Sequence, residues 1–111
     1  MRIFFFLYWI QYAAFAANIQ VNDSEQALIE HVLSSIEKAK AHSSRLTEEV
    51  LTLDGMSSPK VRHFLNNLCS LPNATYLEVG CYRGSTWLAS LFNNQDTMHF
   101  AYAVDDWAEM V

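Results

Sequence analysis

Apolar residues recur at helical spacing in the first half of this chain and cluster in short continuous runs in the second. Leu28, Ile29, Val32, Leu33 and Ile36 fall three or four positions apart, with Glu30, Glu37, Lys38 and Lys40 opposite them. That pattern predicts an amphipathic helix packed by its apolar stripe. Asp23 or Ser24 is placed to cap it, Gln26 follows Asp23 by three as in a capping box, and His42-Ser43-Ser44 marks its end. A second helical piece is expected over 46–51, then a turn at Asp54-Gly55. Ser57-Ser58-Pro59 opens a further helix, because serine caps and proline at the first helical position gives up no needed N–H. Its apolar stripe is Val61, Phe64, Leu65 and Leu68. Arg62 and His63 fall on the polar, surface side, and Leu71-Pro72-Asn73 stops it.

From there the period changes. Thr75-Tyr76-Leu77-Glu78-Val79 reads as a strand, residues 80–84 as a loop, and 85–92 as a helix. Trp87, Leu88, Leu91 and Phe92 lie at helical spacing, as core positions do. Asn93-Asn94-Gln95-Asp96 is a polar turn, and a second strand runs over 98–104. Strand, helix and strand in succession predict an α/β fold with a parallel pair.

The amino terminus stands apart. Met1-Arg2 precedes Ile3-Phe4-Phe5-Phe6-Leu7-Tyr8-Trp9-Ile10, and small residues follow at Ala14-Phe15-Ala16. A positive start, an apolar middle and small residues match a secretory signal cleaved before Ala17. The run is short of the about 20 residues a membrane span needs. The alternative is a hydrophobic helix that stays attached, the chain's one route to a membrane. The organisation expected is a leader over 1–17, an amphipathic helical segment over 18–56, and an α/β portion over 57–111. With a true signal the protein enters the secretory pathway; without one it is cytoplasmic. Asn22-Asp23-Ser24 and Asn73-Ala74-Thr75 then become glycosylation acceptors. Cys69 and Cys81 could pair in an oxidising compartment. The favoured reading is a buried thiol for Cys69 at a helix end and a plain loop residue for Cys81.

Composition narrows the partners. At 111 residues, 51% hydrophobic and 17% charged, the chain is one folded domain at most. A net charge of −5 without a basic patch gives no reason to expect nucleic acid. His31, His42, His63 and His99 lack metal-ligand spacing, so no metal is expected.

The chemistry lies in Tyr76-Leu77-Glu78-Val79-Gly80-Cys81-Tyr82-Arg83-Gly84-Ser85-Thr86. A loop passing from strand to helix presents backbone N–H groups and suits an anionic or carboxylate-bearing ligand. Gly80 lets the backbone turn, and Gly84 is expected to let the helix approach closely. About twenty residues on, the second strand ends in Asp105-Asp106. A carboxylate there can accept from both hydroxyls of a ribose, with Asp105 the first candidate and Asp106 the second. The dinucleotide fingerprint requires a second glycine where Tyr82 stands, and Glu78 is no part of it. Both departures count against NAD or FAD.

The ten residues from Leu77 to Thr86 resemble the first motif of class I S-adenosylmethionine-dependent methyltransferases, in the branch reading Leu-Glu-(Val/Ile)-Gly-x-x-x-Gly-(Ser/Thr)-(Ser/Thr). Val104-Asp105-Asp106-Trp107 resembles that branch's second-strand acid followed by tryptophan. The helix opened by Pro59 looks like the segment before the first motif, so the resemblance covers about half the chain. It implies a partial Rossmann-like doubly wound parallel sheet, the first strand–helix–strand unit, preceded by amphipathic helices. It implies that Glu78 positions the loop or reaches the methionine amino group. Gly80, Cys81 and Tyr82 would line the cofactor through backbone atoms, and Gly84, Ser85 and Thr86 would face the methionine carboxylate. Asp105 would take the ribose hydroxyls and Trp107 would lie beside the adenine. The family fold has seven strands, and the parts that hold a small-molecule methyl acceptor would follow Val111. The expectation is therefore an amino-terminal cofactor-binding portion, inactive by itself. A dinucleotide-binding oxidoreductase fragment and a non-enzymatic secreted binding protein are the alternatives. Plain structural roles compete as well: Ser85 and Thr86 as helix caps, Asp105-Asp106 as a solvated strand end.

Overall fold

The computed structural model describes residues 22–106. The expected leader and Trp107 lie outside them. The chain divides into two compact units, Met1–Ser34 and Ser35–Val111. Among the described residues the fold is mixed α/β, with four helices and a two-stranded parallel sheet: α1 (Asp23–Lys40), α2 (Glu48–Leu51), α3 (Pro59–Leu68), β1 (Thr75–Val79), α4 (Ser85–Leu91) and β2 (Phe100–Val104). No helix among these residues is long and apolar enough to cross a membrane.

Helix α1 starts one residue earlier than the sequence pattern suggests. Asn22 Oδ1 accepts from Glu25 N at 2.9 Å, and Glu25 Oε2 accepts from Asn22 N at 2.9 Å. Asn22 and Glu25 therefore form the reciprocal capping box, not Asp23 and Gln26. At the other end Ser43 N donates to Lys38 O and His42 N to Ala39 O, at 2.9 and 3.0 Å, with His42 at φ +53°. This is a Schellman closure with histidine in the usual place of glycine. The buried positions of α1 are Ser35 and Ala39, while Leu28 of the expected stripe is half exposed.

Helix α3 begins as expected, with Ser58 Oγ accepting from Val61 N at 3.3 Å and Pro59 in the first turn. Its polar face is the more buried one, and Phe64, Leu65 and Leu68 are only half-buried. Arg62, His63, Asn66 and Asn67 are buried, and Val61 is exposed. Arg62 and His63 are thus not surface residues, because this polar face meets the ends of other elements. Arg62 Nη1 donates to Val50 O and Leu51 O at 2.9 and 3.1 Å, capping the last turn of α2. Asn66 Nδ2 donates to Ala89 O and Phe92 O at 2.8 and 2.9 Å, doing the same for α4. Asn67 Nδ2 donates to Ser43 O at 2.8 Å, just after α1. Helix ends leave carbonyls without intrahelical partners, and a polar stripe is the complement they need. Among the described residues no buried side-chain nitrogen or oxygen lacks a partner.

Strands β1 and β2 pair in parallel from Thr75↔Phe100 to Val79↔Val104. Helix α4 covers the face bearing Tyr76 and Glu78: the Tyr76 and Trp87 rings are 6.0 Å apart, and Thr86 Oγ1 donates to Glu78 Oε1 at 2.8 Å. Leu77, Val79, Phe100, Tyr102 and Val104 are all exposed. Alternation along strands in register places them together on the opposite face. Within α4 the buried residues are Ser85, Ala89 and Ser90, so Leu88 belongs to the surface rather than the core. Cys69, at the carboxyl end of α3, and Cys81 are both buried free thiols. Burial pushes the Cys69 thiol up to about 11.

Candidate functional site

The loop between β1 and α4 leaves the strand and enters the helix through alternating left-handed residues. Gly80, Tyr82 and Gly84 have φ of +81°, +49° and +77°. Gly80 N donates to Val104 O at 2.8 Å, which continues the strand ladder by one bond, and Gly84 N donates to Cys81 O at 2.7 Å, which closes the turn. A Cβ at Gly80 or Gly84 would meet nothing within 4 Å. Gly84 is therefore required for its positive φ and not for a close helix approach. The close approach falls at Gly55, where a Cβ would lie 2.0 Å from Ser85 Oγ. Ser85 is correspondingly buried against the turn at Gly55.

One carboxylate holds the loop and a second braces the elements on either side of it. Asp105, directly after β2, accepts through Oδ2 from Cys81 N at 2.5 Å and from Tyr82 N at 3.0 Å. Consecutive N–H groups aimed at one oxygen form an anion-binding nest. Glu78 is buried, with Oε2 accepting from Tyr76 Oη at 2.6 Å and Oε1 from Thr86 Oγ1 at 2.8 Å. Oε1 therefore braces β1 against α4, while Oε2 holds the Tyr76 phenol within β1. Burial, and then the Glu78 hydrogen bond, push the Tyr76 phenol well above its ordinary value. Burial also raises the Cys81 thiol, helped by Glu78 and Asp105 nearby.

The structure brings Glu78, Gly80, Cys81, Tyr82, Gly84, Ser85, Thr86 and Asp105 to the carboxyl end of the parallel pair. Asp106 follows on the exposed side. Arg83 pairs with Asp54 and lies 5.5 Å from the Tyr82 ring centroid, which ties the loop to the turn before α3. Sequence reasoning passed over Tyr76, Asp54 and the packing role of Gly55. Tyr76 stands two residues before Glu78 on a strand, so the two share a face; that was the available signal. Nothing local announces a contact between Gly55 and Ser85.

Elsewhere, a groove of about 350 Å³ is lined by Ile36, Ala39, Lys40, Lys60, Val61 and Phe64, none of them a loop residue. Among the described residues no group of His, Cys, Asp and Glu could hold a metal ion. By fold and site, the chain presents a parallel strand–helix–strand unit whose glycine loop is clasped by the acid ending the second strand. Compared with family models, curated proteins and solved structures, it matches none of them.

Proposed function

We propose that residues 57–111 are the cofactor-binding portion of a class I S-adenosylmethionine-dependent methyltransferase, built on the first unit of a Rossmann-like sheet and serving a small-molecule methyl acceptor. The observation that carries this reading is the position of Asp105. Its carboxylate stands at the end of β2 against the loop that leaves β1, where ligands of open parallel sheets bind. Tyr82, at the place of the second fingerprint glycine, favours a mononucleoside over a pyrophosphate-bearing dinucleotide.

Methyl transfer is an in-line displacement, and the protein's part is to orient the sulfonium methyl against the acceptor. In this reading Asp105 accepts from the ribose hydroxyls, while Gly80, Cys81 and Tyr82 line the cofactor by their backbone. Gly84 and Thr86 support the methionine end. Glu78, bonded to Tyr76 and Thr86, positions the loop or reaches the methionine amine through its remaining lone pairs. Ser85 acts by packing, and Trp107 would flank the adenine.

Isothermal titration of the full chain with S-adenosylmethionine and with NAD tests the reading. S-adenosylmethionine should bind, NAD should not, and Gly80→Val and Asp105→Ala should each weaken binding at least about tenfold, ~1.4 kcal/mol. Affinity unchanged in both variants would show that the site is misassigned, and preferential NAD binding would move the protein to the dinucleotide class.

A further inference from the structure

The loop amides that could meet an anionic ligand are already occupied by the protein's own acid. Cys81 N and Tyr82 N both donate to Asp105 Oδ2, at 2.5 and 3.0 Å. One carboxylate oxygen carries two lone-pair sites, so these donors saturate Oδ2. The bonds are charge-assisted and therefore stronger than neutral ones. A vicinal diol that donates one hydroxyl proton to each oxygen of a carboxylate needs a free lone pair on both. It cannot engage Asp105 in that way while Oδ2 keeps both amides.

We propose that Asp105 is a diol-released latch: its carboxylate is the internal anion of the Cys81–Tyr82 nest, and a ribose draws it off, freeing those amides. Asp105 then has two successive duties. Without ligand it positions the loop, keeping Tyr82 in its left-handed conformation at φ +49°. With ligand it turns to the sugar, and the nest opens toward the ligand's own polar groups. The latch itself rests on these contacts alone; its release rests on the nucleoside-binding reading above. A nucleoside lacking the diol has no means of opening it, which makes the latch a filter for ribose over deoxyribose.

Amide proton shifts and hydrogen exchange in the full ¹⁵N-labelled chain test both halves. In Asp105→Ala, exchange at Cys81 and Tyr82 should accelerate at least about tenfold, with His99 N, bonded to Ala74 O at the far end of the strand pair, reporting that the sheet is intact. Asp105→Asn keeps an acceptor without the charge and should fall between; it also decides the point if the alanine variant does not fold. Exchange unchanged in the variants overturns the latch. In the wild type, S-adenosylhomocysteine should move both amides toward their Asp105→Ala positions while Gly80 N, bonded to Val104 O, stays in place. Binding that leaves both amides unmoved overturns the release. No binding at all overturns the release together with the proposed function, whereas the exchange comparison still decides the latch.

Discussion

The buried face of α3 and the outer face of the sheet are inversions of each other. On α3 the polar residues are inside: Arg62 is 2% and Asn66 0% exposed. On the sheet the apolar residues are outside: Leu77 is 61% and Val79 74% exposed. Both depart from the simple rule that apolar positions face inward, for different reasons. The α3 face is polar because its neighbours are helix ends, whose unpaired carbonyls would cost more beside a leucine than beside an asparagine amide. The sheet face is apolar as parallel strands usually are, since such sheets are ordinarily covered on both sides. In this chain α4 covers only one of them.

The comparison predicts very different sensitivities. The largest effect is expected for Asn66→Leu. It would strand Ala89 O and Phe92 O and leave Arg45 N without its Asn66 Oδ1 acceptor at 3.0 Å. The loss should be about 4 kcal/mol in urea unfolding, several times an ordinary exposed polar-to-apolar change. A small effect would mean that water replaces the amide and that the face is not sealed.

Gly55→Ala comes next. Its Cβ meets Ser85 Oγ at 2.0 Å and Ser85 Cβ at 2.7 Å, both on a short side chain close to the helix backbone. The turn must move, at about 1–3 kcal/mol, and unfolding midpoints would register it. Restoration by Gly55→Ala with Ser85→Gly would confirm that this contact is the cause.

His63 sharpens the α3 side through pH. Burial lowers its pKa below 6.5, nearby His42 lowers it further, and Glu48 opposes them. The folded state therefore resists the proton that the unfolded state accepts near 6.5. Stability is full above that value and falls as pH drops through it toward the folded pKa. Unfolding midpoints at pH 7.5 and 5.5 should differ in that direction, and His63→Gln should remove this part of the slope. A midpoint rising on acidification would contradict the assignment.

The smallest effect is expected on the sheet face. Val79→Thr replaces a methyl that is already in water and should shift stability by no more than about 0.5 kcal/mol. A loss well beyond that would show that something covers this face in solution.

The α/β portion was legible along the chain because its signals are local. β1 occupies 75–79 as expected, and α4 and β2 fall within two residues of their expected bounds. The turn expected at Gly80 is left-handed, whereas Gly84, expected for a close helix approach, is needed only for its own positive φ. The apolar stripe of α1 lies on its more buried side apart from Leu28, while that of α3 was legible as a pattern but misleading as burial. Periodicity tells which residues share a face; it does not tell what that face meets. The position of Asp105 at the strand end could be read from the sequence, but its grip on Cys81 and Tyr82 could not. That contact joins residues 24 and 23 positions apart.

The sequence by itself determined the elements, their caps at Ser58-Pro59, the glycine loop and the acid that follows the second strand. These depend on φ preferences, side-chain capping and hydrophobic period, all expressed within a few residues. Only the tertiary structure decided that the polar face of α3 lies inward, that Gly55 closes on Ser85, and that Glu78 and Asp105 Oδ2 bond other groups of the protein. Those outcomes depend on which donors and acceptors distant segments leave unpaired where they meet, and no local pattern encodes that.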